Sequence, residues 1–316
     1  MIMEIAKEIS YFTALLILVS VTLSSCVFDE TELQPVPDEI LYPEQEAKEG
    51  GGAPKDDCKR AELSLAEFGE SDGILTGSWA RKVILASETD PRENGDFQDS
   101  TTTYYELVEI KHIRTWIRET VELCDLDMVM LAGAKTDYSE LFLSVMPYLN
   151  EEGEFLKEAI PGETIGAEYA NASPLVRLWG LTPEAAEKKW ERCDSYFDVK
   201  NIAEECPIAL WNEITDADCD GNPGISVQIT LGALPPEEVY SIRRTKVLRK
   251  GEVESKDYIA GKVEFEEETA IIGASKEMFK SNPPFKPVNE KSLFEMVRLS
   301  DGADCQAVFK AFNYTP

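Results

Sequence analysis

The alternation of Ile225, Val227, Ile229 and Leu231 with Ser226, Gln228 and Thr230 constrains the fold of this 316-residue chain more than any other feature. Successive side chains of a strand point to opposite faces, so this segment buries one face and wets the other. Patterning of period two belongs to antiparallel sheets with one solvated side. It recurs along the chain. Trp79, Arg81, Val83 and Leu85 alternate with Ala80, Lys82 and Ile84, while Ile259, Gly261, Val263 and Phe265 alternate with Lys262, Glu264 and Glu266. Runs rich in β-branched and aromatic residues lie at Thr101 to Cys124 (long enough for two strands), Val239 to Leu248, Thr269 to Ala274 and Leu293 to Leu299. With an acidic turn before Thr269, the total is about eight strands.

Residues 127 to 224 read differently, as a large insertion of loops and short helices. Thr182-Pro183-Glu184 opens one helix, with threonine as cap, proline at the first helical position and Trp190 to pin it. Antiparallel strands joined mostly by short turns predict a mainly β fold over 58–316. The expected architecture is a closed up-and-down barrel, because closure leaves no edge to pair with another chain. The first strand carries Gly77-Ser78-Trp79, which resembles the Gly-x-Trp start of lipocalins. That resemblance implies a tryptophan packed across the barrel floor and a cup for a small apolar ligand. Its borders would be Trp79, Val83, Ile229 and Val263.

The apolar run Tyr11 to Val21 is short for a bilayer span and leads into small residues, as a cleavable export signal does. Leu23-Ser24-Ser25-Cys26 follows and resembles the lipobox of bacterial lipoproteins. The resemblance implies removal of 1–25, leaving Cys26 with a thioether-linked diacylglycerol and an N-acyl chain. It also implies sorting to the outer membrane, because Val27 and Phe28 replace the aspartate that retains such proteins at the inner one. Several acyl chains anchor stably where one binds marginally. Met1 to Ser10 departs from the pattern, since Lys7 is outweighed by Glu4 and Glu8. Residues 26–57 combine many carboxylates with Pro35, Pro37, Pro43 and Gly50-Gly51-Gly52, the composition of a self-repelling, disordered tether.

A net charge of −29, from 60 acidic and 31 basic residues, argues against nucleic acid and against anionic headgroups as partners. Calcium and cationic partners remain compatible with it. Beyond Cys26 stand Cys58, Cys124, Cys193, Cys206, Cys219 and Cys305, an even number that suits up to three disulfides in an exported chain. Cys193 with Cys206, or Cys206 with Cys219, would close a short loop. There is no CxxC spacing and one histidine, His112, which disfavours zinc.

Asp216-Ala217-Asp218-Cys219-Asp220-Gly221-Asn222-Pro223-Gly224 is the sharpest local motif. Carboxylates at every second position before a glycine match the first half of a calcium loop of the EF-hand kind, making Asp216, Asp218 and Asp220 candidate ligands. The match then lapses, because Val227 stands where the bidentate glutamate belongs. Asp198 or Glu213 could complete the site. The same residues also compose an ordinary acidic turn. A similar aspartate-rich segment occurs in bacterial lipoproteins without known activity.

His112 lacks a Gly-x-Ser-x-Gly partner motif and reads as a packing residue. Arg243, Arg244, Lys246, Arg249 and Lys250 form the one basic cluster. Alternation sends Arg243 to the opposite face from Arg244 and Lys246. One inward arginine would suit an anionic head group, while the main expectation is neutralisation of acidic residues across a hairpin. The leading expectation is therefore a non-enzymatic, membrane-anchored lipoprotein that binds a small apolar ligand or an envelope component. The alternative is a structural or surface-interaction protein with a solid barrel and a calcium-stabilised loop. An exported hydrolase is the remote third.

Overall fold

The computed structural model describes residues 71, 73–90, 95–130, 134–138, 149–154, 156–158, 160, 162–171, 173–188, 213–231, 235–276, 279 and 284–316. Cys26, Cys58, Trp190, Cys193, Asp198 and Cys206 lie outside them, as do residues 1–57, on which the expected signal peptide and tether fall. The described strands are β1 (Gly77–Thr89), β2 (Gln98–Ile113), β3 (Trp116–Met130), β4 (Ala134–Tyr138), β5 (Leu149–Glu154), β6 (Leu156–Lys157), β7 (Glu168–Ala170), β8 (Leu175–Trp179), β9 (Ile225–Leu231), β10 (Glu237–Ser255), β11 (Tyr258–Ala274), β12 (Phe285–Pro287) and β13 (Leu293–Arg298). A helix, α1, spans Cys305–Ala311.

Antiparallel pairing runs β1–β2–β3–β4–β9–β10–β11–β13 and returns from β13 to β1. Eight strands in chain order thus form an up-and-down barrel, the mainly β architecture that the alternation predicts. Short strands also line the gap between β3 and β10. The other end of β3 pairs with β5, and β6 pairs with β7, which pairs with β10 at Lys250 to Glu252. β9, β8 and β7 therefore follow one another along a single edge of β10.

Three expectations need correction. The acidic stretch Glu266 to Glu268 is no turn; β11 runs unbroken through it, because Arg244 and Lys246 on β10 face Glu268 and Glu266 across the hairpin. Nor is 127–224 free of strands. It holds the end of β3, all of β4 to β8, and so one strand of the barrel ring itself. At Pro183–Ala186 the expected helix is a single 3-10 turn. Thr182 makes no cap bond there; its hydroxyl donates to Glu213 instead.

The main core lies between the inward faces of the ring and includes Trp79, Val83, Tyr104, Val108, Ile117, Val121, Val247, Val263 and Phe294. A second core covers the outside of β1 and β2, where Val308 and Phe309 of α1 pack on Ala80, Tyr105 and Leu107. A bulge makes this outer core possible. Tyr105 pairs with Asp125 but Glu106 with Leu123, so Cys124 is an extra residue on β3. Leu123 and Leu126 pack with the inner core, while Cys124 packs with the outer one. Cys124 is disulfide-bonded to Cys305, and Asp125 accepts the Tyr314 hydroxyl proton at 2.8 Å. A bulge bends its strand and re-aims side chains, and here it turns both neighbours toward the C-terminal segment.

Candidate functional site

Charge sits inside the barrel. Arg81 shares the inward register of Trp79 and Val83; Glu106 stands between Tyr104 and Val108, and Glu119 between Ile117 and Val121. All three charged side chains are at most 1% exposed. Arg81 donates Nε to Glu106 Oε2 at 2.6 Å and Nη1 to Glu119 Oε2 at 2.5 Å. Arg177 on β8 reaches Glu106 Oε1 at 2.5 Å, and Arg249 on β10 reaches Glu119 Oε2 at 3.1 Å. Five charged groups from five strands thus meet in one network. Burial alone would raise the Glu106 carboxyl, but Arg177 and Arg81 outweigh it and hold it down to about 2. Arg249 and Arg81 likewise keep Glu119 below the usual carboxylate range against its burial.

A second interior pair adjoins the first. Arg243 lies 3.5 Å from Glu267 and over the Trp179 ring, 4.7 Å from its centre. Arg177 lies over the Tyr104 ring at 4.7 Å. The basic cluster of β10 therefore divides by strand parity. Arg244 and Lys246 neutralise the acids across the hairpin, while Arg243 and Arg249 turn inward to Glu267 and Glu119.

Trp79, Val83 and Val263 are buried members of one core cluster, and Ile229 is partly buried against it. The four proposed ligand-bordering residues thus belong to, or pack against, one core cluster. Trp79 donates its indole N–H to the Leu75 carbonyl at 2.8 Å. His112 is a packing residue. Its Nδ1 accepts the Leu75 N–H at 3.3 Å and its Nε2 contacts the Arg114 carbonyl, so both ring nitrogens engage backbone. A Cβ on Gly73 would come within 2.2 Å of the imidazole, which is why the chain has glycine there.

The aspartates of the sequence motif converge as well. One carboxylate oxygen from each of Asp216, Asp218 and Asp220 lies within 4.8 Å of the others. Asp216 accepts the amides of Asp220 and Gly221, and Asp218 Oδ2 accepts the Ser226 amide at 2.8 Å. Burial pushes the Asp218 carboxyl up to about 6, with Asp220 and Asp216 adding to it. Cys219, at φ +59°, is disulfide-bonded, its partner outside the described residues. Glu213 does not complete this cluster, because its carboxylate is taken by Thr182 and Lys188.

No helix among the described residues is long and apolar enough to cross a membrane. No protein-family model matches the chain, and neither a curated protein nor a solved structure matches it significantly.

The interior network is what reading the sequence missed. Its signal was present: Arg81, Glu106 and Glu119 each occupy an apolar parity between two core residues. A charge at such a position must be paired inside, since an unpaired buried charge is too costly to keep.

Proposed function

We propose that this chain is a non-enzymatic lipoprotein of the bacterial envelope, anchored in the outer membrane through lipid on Cys26. Its barrel is a solid scaffold that presents an outer surface to another envelope component. The anchor half of this reading rests on Leu23-Ser24-Ser25-Cys26, and the observation that carries the scaffold half is Arg81, fully buried and hydrogen-bonded to both Glu106 and Glu119. An apolar ligand beside such a level would displace partners from ionised groups, at a desolvation cost of several kcal/mol per ion. Trp79, Val83 and Val263 are already buried in the surrounding core, which favours packing over a cup. The parts of 127–224 that lie outside the barrel ring are the contact surface of this proposal. An envelope partner with a cationic face complements the net charge of −29.

Mass spectrometry of the full chain purified from membranes tests both halves. The expected product begins at Cys26 with acyl chains and, under native conditions, carries no stoichiometric small molecule. An unprocessed N-terminus overturns the anchor. A retained apolar molecule, lost on Val83→Trp substitution, overturns the scaffold in favour of a ligand cup.

A further inference from the structure

Asp218 is fully buried, yet its two carboxylate oxygens are treated unequally. Oδ2 accepts the Ser226 amide at 2.8 Å, while Oδ1 is shielded from solvent and accepts no hydrogen bond from another of the described residues. A buried acceptor without a donor costs free energy that native proteins rarely leave uncompensated. For a carboxylate beside two further carboxylates the compensating group is a cation, because a neutral donor would leave the mutual repulsion in place.

We infer that Asp216, Asp218 and Asp220 bind one calcium ion, with Asp218 Oδ1 as its innermost protein ligand. The donor set is all hard oxygen, and its separations of up to 4.8 Å suit calcium. Calcium takes oxygens at about 2.3–2.6 Å, so opposed ligands stand well apart, whereas magnesium at about 2.0–2.1 Å would need them closer. Only three carboxylates contribute and Val227 stands in place of a bidentate glutamate, so binding is weak, in the range of about 10⁻⁴ to 10⁻³ M typical of extracellular modules.

The site has a structural consequence. Asp218 holds the amide of Ser226 and Asp220 holds its hydroxyl, and Ser226 belongs to β9. The loop also bonds backbone to backbone, Ala217 to Gly224 and Gly224 to Thr215. A bound ion therefore clamps the entrance to β9, the strand that joins β4 to β10 and completes the ring. This goes beyond the proposed anchoring and scaffold role and needs neither.

The test uses the full chain in detergent, with thermal unfolding and calorimetric titration in calcium, in magnesium and in chelator. Millimolar calcium is expected to raise the melting temperature and magnesium to raise it less. Asp218→Asn is expected to abolish the calcium-dependent rise while unfolding no earlier than the parent in chelator, since it removes an uncompensated buried charge. Asp220→Asn, at an exposed position, is expected to weaken calcium binding at least about tenfold and covers the case in which Asp218→Asn does not fold. No calcium-dependent rise in the parent, an undiminished rise in Asp218→Asn, or unchanged calcium affinity in Asp220→Asn would each overturn the site. An equal rise in magnesium would overturn its assignment to calcium.

Discussion

Arg298, the last residue of β13, lays its guanidinium over the indole of Trp79 near the start of β1, 4.4 Å from the ring centre. The same side chain donates to the carbonyls of Thr76, Ile74 and Lys256 and pairs with Asp257. One residue thus ties the end of the ring to its beginning, to the turn that precedes β1 and to the β10–β11 hairpin. Planarity matters here, since a guanidinium can stack on a ring while its edge donates, and an ammonium cannot. Arg298→Ala is expected to lower stability by about 1–2 kcal/mol through the lost ring contact and the lost bond to the part-buried Thr76 carbonyl. Arg298→Lys should recover less than half of that. Urea unfolding of the three proteins provides the comparison, and full recovery by lysine would show that charge alone accounts for the effect.

The interior network makes a sharper demand. Glu119 lies between Arg81 and Arg249, each within hydrogen-bonding distance of its Oε2. Glu119→Gln keeps the volume and removes the charge, leaving Arg81, Arg177 and Arg249 to share Glu106 alone. Removing one partner of a buried ion pair costs about 3–5 kcal/mol, because the other charge stays buried without compensation. We expect Glu119→Gln to lose that much in equilibrium urea unfolding. Arg249→Met in the same background should return part of it, since it removes one of the stranded cations. Additive losses in the double variant would mean that the two groups are not coupled.

Much of this architecture was legible in the sequence because solvent and interior impose opposite demands on alternate residues of a strand. β9 shows this cleanly, its observed bounds Ile225–Leu231 being those of the alternating run. The count of eight ring strands also agrees, but with different members. β11 read as two segments because Glu266 to Glu268 look like a turn when the basic residues opposite are ignored. β4, with the sequence Ala-Lys-Thr-Asp-Tyr, has no apolar alternation to reveal it and is a strand because β3 and β9 flank it. α1 is seven residues long, too short for a helical period to emerge, and depends on Asp304 capping the Ala307 amide. The aspartate loop was legible because its chemistry is contiguous in the chain. For the arginine–glutamate network, parity marks Arg81, Glu106 and Glu119 as inward, but not which of them pair, because its members lie far apart in sequence and only the barrel register aligns them.

Glu106 gives the fold an acid limit. Its carboxyl titrates at about 2 in the folded protein against an ordinary 4.5. A group depressed by folding contributes stability that is fully present above its unfolded value and is lost as pH falls through its folded one. The contribution is about 3 kcal/mol at neutral pH, absent by about pH 2 and declining between. Unfolding free energies from pH 7 down to 2 should therefore fall most steeply below about pH 4.5. In Glu106→Gln the protein starts less stable at pH 7, and its slope in that window should be shallower than that of the parent. Identical slopes would locate the acid sensitivity in other carboxylates.

The covalent link between Cys124 and Cys305 joins residues separated by 181 positions, across a bulge that turns Cys124 outward. In the chain-entropy description, closing so long a loop restrains the unfolded chain by up to about 5 kcal/mol. The segment it fastens is also held without it. Tyr314 stacks on Tyr105 with ring centres 3.9 Å apart, its hydroxyl bonds Asp125, and Val308 and Phe309 are buried on the barrel wall. Replacing both cysteines by alanine should therefore lower global stability without releasing α1 under native conditions. The expected result is a lower urea midpoint for the double variant, while amide exchange in 305–311 stays protected. The further change Tyr314→Ala, made in that background, should then free the helix, visible as loss of that protection at unchanged exchange in β9 and β13. Loss of protection in the cysteine variant alone would assign the docking of α1 to the disulfide and leave the aromatic stack a minor part.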